Sequence, residues 1–496
     1  MEVVGWLESP EAAESTHDAV ERAVLAMGRE SLRQAFQDHA DVRAMREVRP
    51  EGPVVGADGV ERTRVERGHE RVLVTVVGKV WVRRWAFRAG AKGVGNLYPA
   101  DAVWNMPVGM YSHEMRRLVM AEVVRGSFES AQAAIARVTG VTMSKRQIEA
   151  LSVTASVDSD AFYRDAAPDA AAQVDEAAVV VLTSDAKGVV MRPEGMRKMA
   201  AKQAEEAKAK PSLSKRTASG CKPHQKRMAQ IACAYYVKPV VRAPGDVIVG
   251  VGDDPDRETV DGPKAHRKWC TVSLKDEVTT VVKAMFDEAE RRDPEHTREW
   301  VGLVDGNLHQ IRVIKAEAKR RGITLPLLID FVHVAEYVWS AAWTFHHKTD
   351  PTAQAWVDAR LLEILRGNTA AVVADMREQA EREKIPPSRR FGLNRCVKYL
   401  RSKAEAAQLD YHLALEKGWP IATGVVEGAC RYLVNDRMDI TGARWGLDGA
   451  EAILKLRAHL ANDDRDAYWA YHLRQQHETN HQSRYQQLSG DYELAG

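Results

Sequence analysis

Three acids stand where they could do chemistry together. Asp185 ends the β-branched run EAAVVVLTSD, Asp305 ends WVGLVD, and Glu427 lies in ATGVVEGACRYLVNDRM. Singly, each has a plain alternative, because an Asp at a strand end near Gly commonly serves only the turn and the chain has 69 acidic residues to choose from. Jointly they make a carboxylate set. Such oxygens are hard ligands for Mg²⁺, which retains waters and substrate phosphate oxygens in its shell. Two ions roughly 4 Å apart stabilise the attacking and leaving oxygens of an in-line displacement at phosphorus. The expectation is that Asp185, Asp305 and Glu427 are catalytic and metal-binding, with Mg²⁺ as cofactor and Mn²⁺ able to substitute.

Those acids need a scaffold that gathers them. Beyond Gln173 the segment EAAVVVLTSDAKGVVM reads as strand, turn at Gly188, strand, and RMAQIACAYYVKPVV supplies a third strand. After KWCTVSL come a helix (DEVTTVVKAMFDEAERR), a strand (WVGLVDG), a helix (LHQIRVIKAEAKRRG) and a strand (ITLPLLID). Three antiparallel strands, then helix, strand, helix, strand, is the ribonuclease H arrangement, with helices on the faces of a mixed five-stranded sheet. A strand order of 3-2-1-4-5 sets the fourth strand about 4.8 Å from the first, making Asp185 and Asp305 neighbours. Asp330 ends the fifth strand, roughly 10 Å from Asp185. It is expected to accept a hydrogen bond from His333 at the edge of the site instead of holding metal. Glu427 must arrive on a helix, with Arg431 and Asn435 at i+4 and i+8 on the same face.

The whole chain is read as residues 1–66, an N-terminal helical region; 67–100, a β-hairpin around Gly78; 101–172, a helical DNA-binding region; 173–333, the first part of the α/β core with a basic insertion at 192–228; 334–417, a helical insertion; 418–475, the Glu427 helix and the end of the core; and 476–496, a polar tail. Within 126–153 a helix, a break at Thr139-Gly140 and a second helix suggest a helix-turn-helix, and Ser144 with Gln147 has capping-box spacing. The plain alternative is a helical hairpin. Lys145 and Arg146, near the start of the second helix, are candidate DNA contacts. Lys226, Arg227, Arg444 and Trp445 are further candidates, Trp445 being either core or a platform for a flipped base. Trp339 and Trp343, one helical turn apart, are expected in the core.

Composition excludes several classes. No stretch of 18 residues is free of charge, so no membrane span is expected, and the acidic start MEVVGWLESPEAAES does not resemble a secretion signal. Five cysteines lie far apart with no C-x-x-C pair, which argues against a disulfide framework or a thiolate zinc site and fits a reduced cytoplasm. The net charge of +2 is unremarked, but residues 192–228 alone carry eleven Lys and Arg against three Glu. Phosphate binding depends on where such charge sits.

The segments TSDAKGVVMRPEGMRK, HQKRMAQIACAYYV, RRDPEHTREWVGLVDGNLHQI, LLIDFVHVAEYVWSAAWTF and GWPIATGVVEGACRYLVNDRMDITGARWGLDGAEAILKLRA resemble the ISKra-type branch of bacterial insertion-sequence transposases, from about Val72 to about Arg484. The resemblance implies a ribonuclease H-like fold with a helical insertion before the catalytic glutamate, and Asp185, Asp305 and Glu427 as the DDE set. Asp330 to His333 looks like the (C/D)-x-x-H signature of related elements. Many relatives carry a small zinc ribbon near the N-terminal strands, but RWAFRAGAKG has no cysteine, so zinc is not expected. The implied reaction is cleavage at the terminal inverted repeats by activated water, then joining of the freed 3′-hydroxyl to target DNA. A homodimer or larger assembly on DNA, in the bacterial cytoplasm at the nucleoid, is expected. The alternatives are an inactive transposase-derived DNA-binding regulator and a structure-specific host nuclease on the same fold.

Overall fold

In the computed structural model the described residues are 2–50, 52–166, 178–197, 202, 226–249, 258–440 and 442–486. Most of the basic insertion lies outside them. The chain forms two compact units, one of Met1–Arg164 with Asp463–Gly496, the other of Asp165–Asn462. Residues 463–475, expected at the end of the core, thus belong with the N-terminal unit.

In the first unit, helix α1 (His17–Met45) runs for 29 residues, with Ala and Arg its commonest residues, both good helix formers. Strands β1 (Arg64–Thr75) and β2 (Gly78–Arg88) form the expected hairpin, Thr75 facing Gly78. Leu73, Val80, Val82 and Met106 make a small core that Phe36 of α1 covers. Helices α2 (His113–Val123), α3 (Phe128–Thr139) and α4 (Lys145–Ala155) bury Met115, Val119, Ile135 and Ile148. Gly140 ends α3 at φ +72°, in the left-handed region that only glycine adopts freely. Ser144 and Gln147 make the full capping box that starts α4. The expected helix, break and helix are present.

The second unit is a mixed α/β structure. Its sheet holds β3 (Val179–Val190), β4 (Lys226–Val237), β5 (Ala265–Ser273), β6 (Trp300–Val304) and β7 (Leu327–Ile329), in the order β5-β4-β3-β6-β7. Strand β3 is antiparallel to β4 and parallel to β6, and β6 is parallel to β7. This is the expected 3-2-1-4-5 order with different membership. The strand, turn and strand expected at 176–191 are one strand of 12 residues. Gly188 sits in the ladder opposite Met228, and KWCTVSL supplies most of the third strand. A Cβ at Gly188 would stand 2.9 Å from the Cδ of the exposed Lys226 side chain, a flexible neighbour.

Residues 179–184 and 300–304 are buried without alternation, as central strands covered on both faces must be. Helices α5 (Val278–Arg292) and α6 (Leu308–Arg321) pack against one another, and α5 also lies on β3, β4 and β5. The expected helical stretch follows as α7 (Phe331–Phe345), α8 (Thr352–Leu365), α9 (Thr369–Arg382) and α10 (Phe391–Glu405). Val334, Val338, Ala341 and Ala342 form the buried face of α7. Trp343 is exposed and Trp339 half-buried, so this pair is not core. Helix α11 (Gly424–Ala429) lies against β3 and β4, and α12 (Leu447–Ala461) against β5. No helix among the described residues is long and apolar enough to cross a membrane.

Candidate active site

Strand register places the acids. Val180 faces Trp300 and Thr183 faces Leu303, a constant offset that, continued two residues, sets Asp185 beside Asp305. Val304 faces Ile329, and the Asp330 amide donates to the Val304 carbonyl at 2.8 Å, so Asp305 and Asp330 are neighbours in turn. The three aspartates form a row across three parallel strands about 4.8 Å apart. Asp185 is half-buried within β3, whose last residues run on past it, instead of ending the strand.

The neighbours of each acid differ. Asp185 Oδ2 accepts from the Cys430 thiol at 3.2 Å. Asp305 is half-buried, and its Oδ1 accepts from the Asn307 amide at 2.8 Å. Its loop is clamped from α10: the buried Lys403 ammonium donates to the Gly306 carbonyl at 2.8 Å and the Tyr399 hydroxyl approaches the Asp305 carbonyl at 3.4 Å. Gly306 has φ +98°, and a Cβ there would stand 2.7 Å from that hydroxyl. Asp330 is fully buried. Its Oδ1 accepts from the Val332 amide at 2.8 Å, capping α7, and its Oδ2 accepts from the Thr423 hydroxyl.

Glu427 reaches the row at Asp330. It is an exposed residue, yet its Oε1 stands 3.4 Å from the Thr423 hydroxyl, the same hydroxyl that donates to Asp330. Partial burial, then the charge of Asp330, pushes its carboxyl above the ordinary range. A carboxyl displaced upward moves toward the range useful for passing protons near neutrality. Burial, then Asp185, likewise pushes the Cys430 thiol up, so Cys430 is a neutral donor to Asp185 and not a nucleophile.

Several expected neighbours are elsewhere. The hydrogen bond from His333 to Asp330 is not formed; the His333 Nδ1 is 4.0 Å from Glu336 and has no hydrogen-bond partner among the described residues. Arg431 lies beside Asp436 and, among the described residues, pairs with none of the three aspartates. Residues Cys430–Asn435 are a π-helix, in which Arg431 is 82% exposed at its side chain, 3.9 Å from Asp436. Asn435 ends that segment, half-buried. Cys430 and Thr423 take the places facing the aspartates, and neither was expected. Their spacing of three and four from Glu427 was the available signal.

Lys145, Arg146, Lys226 and Arg444 are exposed. Lys145 pairs with Glu129 at 3.2 Å, a surface contact of little energy that a phosphate can replace. Arg227 is half-buried, its Nε donating to the Leu274 carbonyl at 2.7 Å. Trp445 is buried, its indole donating to the Met438 carbonyl at 3.0 Å with the Arg437 guanidinium over its ring, so it offers no face to a base.

Oxygen donors of this kind suit Mg²⁺. Their placement is another matter: among the described residues no three His, Cys, Asp or Glu side chains are gathered closely enough to hold a metal ion. Asp330 and Asp185 each have both oxygens engaged by protein donors, Asp185 Oδ1 accepting from the Ala186 amide at 2.6 Å. As folded, the row is a carboxylate cluster and not a metal cage. No known protein family matches the chain, and no curated protein matches it.

Proposed function

We propose that this chain is a DNA transposase of the DDE class on a ribonuclease H-like core, cutting at the terminal inverted repeats of its element and joining the freed 3′-hydroxyls to target DNA. The observation that supports this most is the register that sets Asp185 beside Asp305 at the sheet centre, with Glu427 carried in on a helix lying against the strand of Asp185. In the first step water attacks phosphorus and a 3′-hydroxyl leaves; in the second that hydroxyl attacks a target phosphodiester and a target 3′-hydroxyl leaves. Both are displacements at phosphorus, so one acidic site serves both. Mg²⁺ is the ion this reading calls for, with Mn²⁺ as substitute. Helix α4, with Lys145 and Arg146 exposed in its first turn, is the proposed reader of the ends, and a homodimer or larger in the bacterial cytoplasm is the proposed form.

The test combines labelled end DNA, a supercoiled target and Mg²⁺ with the wild-type protein, Asp185→Asn, Asp305→Asn and Glu427→Gln. Wild-type cleavage and joining that chelator abolishes, and loss of both in each variant with end binding retained, is the expected result. Full activity in a variant would remove that residue from the set. A second reading is a DNA-binding regulator without catalysis, favoured by the lack of a gathered metal-ligand trio among the described residues. It predicts selective end binding by a wild-type protein that cuts nothing.

A further inference from the structure

The first unit encloses a cavity of about 170 Å³ that the strand-joining chemistry does not use. Its charged lining residues are Arg71, Arg84, Arg484 and Asp101. His481 also lines it, but burial holds its pKa down and its Nε2 is paired with the Met106 carbonyl at 2.8 Å. One carboxylate therefore faces three guanidinium groups, of which Arg71 also donates to the Pro107 carbonyl at 2.8 Å and to the Gly109 carbonyl. It does so with one oxygen: Asp101 Oδ2 stands 3.0 Å from Arg84 Nε and 3.8 Å from Arg71 Nη1. The other oxygen, Oδ1, and Arg84 Nη1 are both buried without a hydrogen-bond partner among the described residues. The side chains of Arg84 and Asp101 are only 11% and 12% exposed.

An excess of positive charge held in a part-buried space is costly unless an anion or ordered polar groups answer it. Guanidinium forks match the oxygens of phosphate in spacing and geometry. The volume admits a phosphate group with several waters, each occupying about 30 Å³. Arg484 and Val108 are exposed lining residues, so the cavity opens to solvent beside them. We propose that this cavity is an oxyanion site that binds a phosphate group, carried either by the end of a nucleic-acid strand or by free phosphate. Asp101 holds Arg84 and Arg71 in place, Arg84 and Arg484 supply donors to the anion, and Oδ1 accepts from a water beside it. The site does not depend on the strand-joining reading, since binding alone reports it.

Calorimetric titration of the full chain at physiological salt tests this with three probes: inorganic phosphate, a 5′-phosphorylated trinucleotide and the same trinucleotide with a 5′-hydroxyl. Arg484→Gln, at an exposed position, and Arg84→Lys are titrated alongside, with melting curves to show that each is folded. The phosphorylated trinucleotide should bind roughly tenfold or more tightly than its hydroxyl twin, and Arg484→Gln should remove a similar factor, as loss of a charged hydrogen bond does. Inorganic phosphate binding as well as the phosphorylated strand makes free phosphate the ligand; binding more weakly makes it the strand end. Equal affinity for the two trinucleotides with no phosphate binding overturns the proposal. So does wild-type affinity in both folded arginine variants.

Discussion

Asp305 and Asp330 stand side by side, yet the protein uses them differently. Asp330 is wholly buried, caps α7 and takes the Thr423 hydroxyl, whereas Asp305 is half-open with one oxygen on its own loop. Asp330→Ala should therefore cost about 2 kcal/mol or more in urea unfolding, from a lost cap and a stranded buried hydroxyl, and Asp305→Asn should change stability by less than about 0.5 kcal/mol. Equal costs would show that burial does not separate their roles. On the metal-dependent reading, Asp305→Cys should be inactive in Mg²⁺ and partly restored by Mn²⁺, which tolerates sulfur better, with no such rescue at Asp330→Cys. Rescue at Asp330 alone would reverse the assignment. Asp185 and Asp305 were legible because each follows an apolar run whose strand type is plain. Thr423 and Cys430 were not, since a hydroxyl or thiol on a helix looks like filler until the strand beneath it is placed. Trp445 in GARWG admitted core or base, core being the commoner use of such an aromatic, and its burial decides for core.

Among the elements, the π-helical turn at Cys430–Asn435 departs from the regular helix that counting at i+4 and i+8 assumes. Gly188 misled in a different way, reading as a turn when it lies within the ladder opposite Met228. The helix, break and helix at α3 and α4 were legible because their stop and start signals are local. Ser144→Ala should destabilise the first unit by about 1 kcal/mol through loss of its cap, and Gly140→Ala by a similar amount through left-handed strain; thermal melts that leave either unchanged would show that tertiary packing sets these ends. Lys145→Ala and Arg146→Ala should each weaken end-DNA binding and reduce the salt slope by about one. End affinity and salt slope equal to wild type in both would take α4 out of the interface.

At the scale of the whole molecule, burial of ionisable groups sets an acid limit. In the second unit burial holds His459 down at about 3, and in the first it holds His113 at about 4. Both fold neutral and charge on unfolding, so their contribution is complete above about pH 6.5 and is lost progressively as pH falls below that toward the folded values. Stability should drop between pH 6.5 and 4 by up to about 1.4 kcal/mol per pH unit for each such histidine. His459→Leu should flatten that slope for the second unit; a slope identical to wild type would remove His459 as its source. The order of elements in the sheet was legible from the succession of apolar runs, but long-range partners were not. Cys233 and Cys270 lie 37 residues apart in sequence, yet their thiols meet at 2.9 Å across β4 and β5. The same applies to the first unit, where the Tyr468 hydroxyl donates to the Ala155 carbonyl, His472 pairs with Asp158, and Gly56 bridges to Tyr485. That unit is built from both ends of the described chain. On the ribosome its first part must wait while the whole second unit is translated, roughly 15 to 60 s at about 5–20 residues per second. Throughout that interval the surfaces that Tyr468, His472 and Tyr485 later cover stand open to chaperones and proteases.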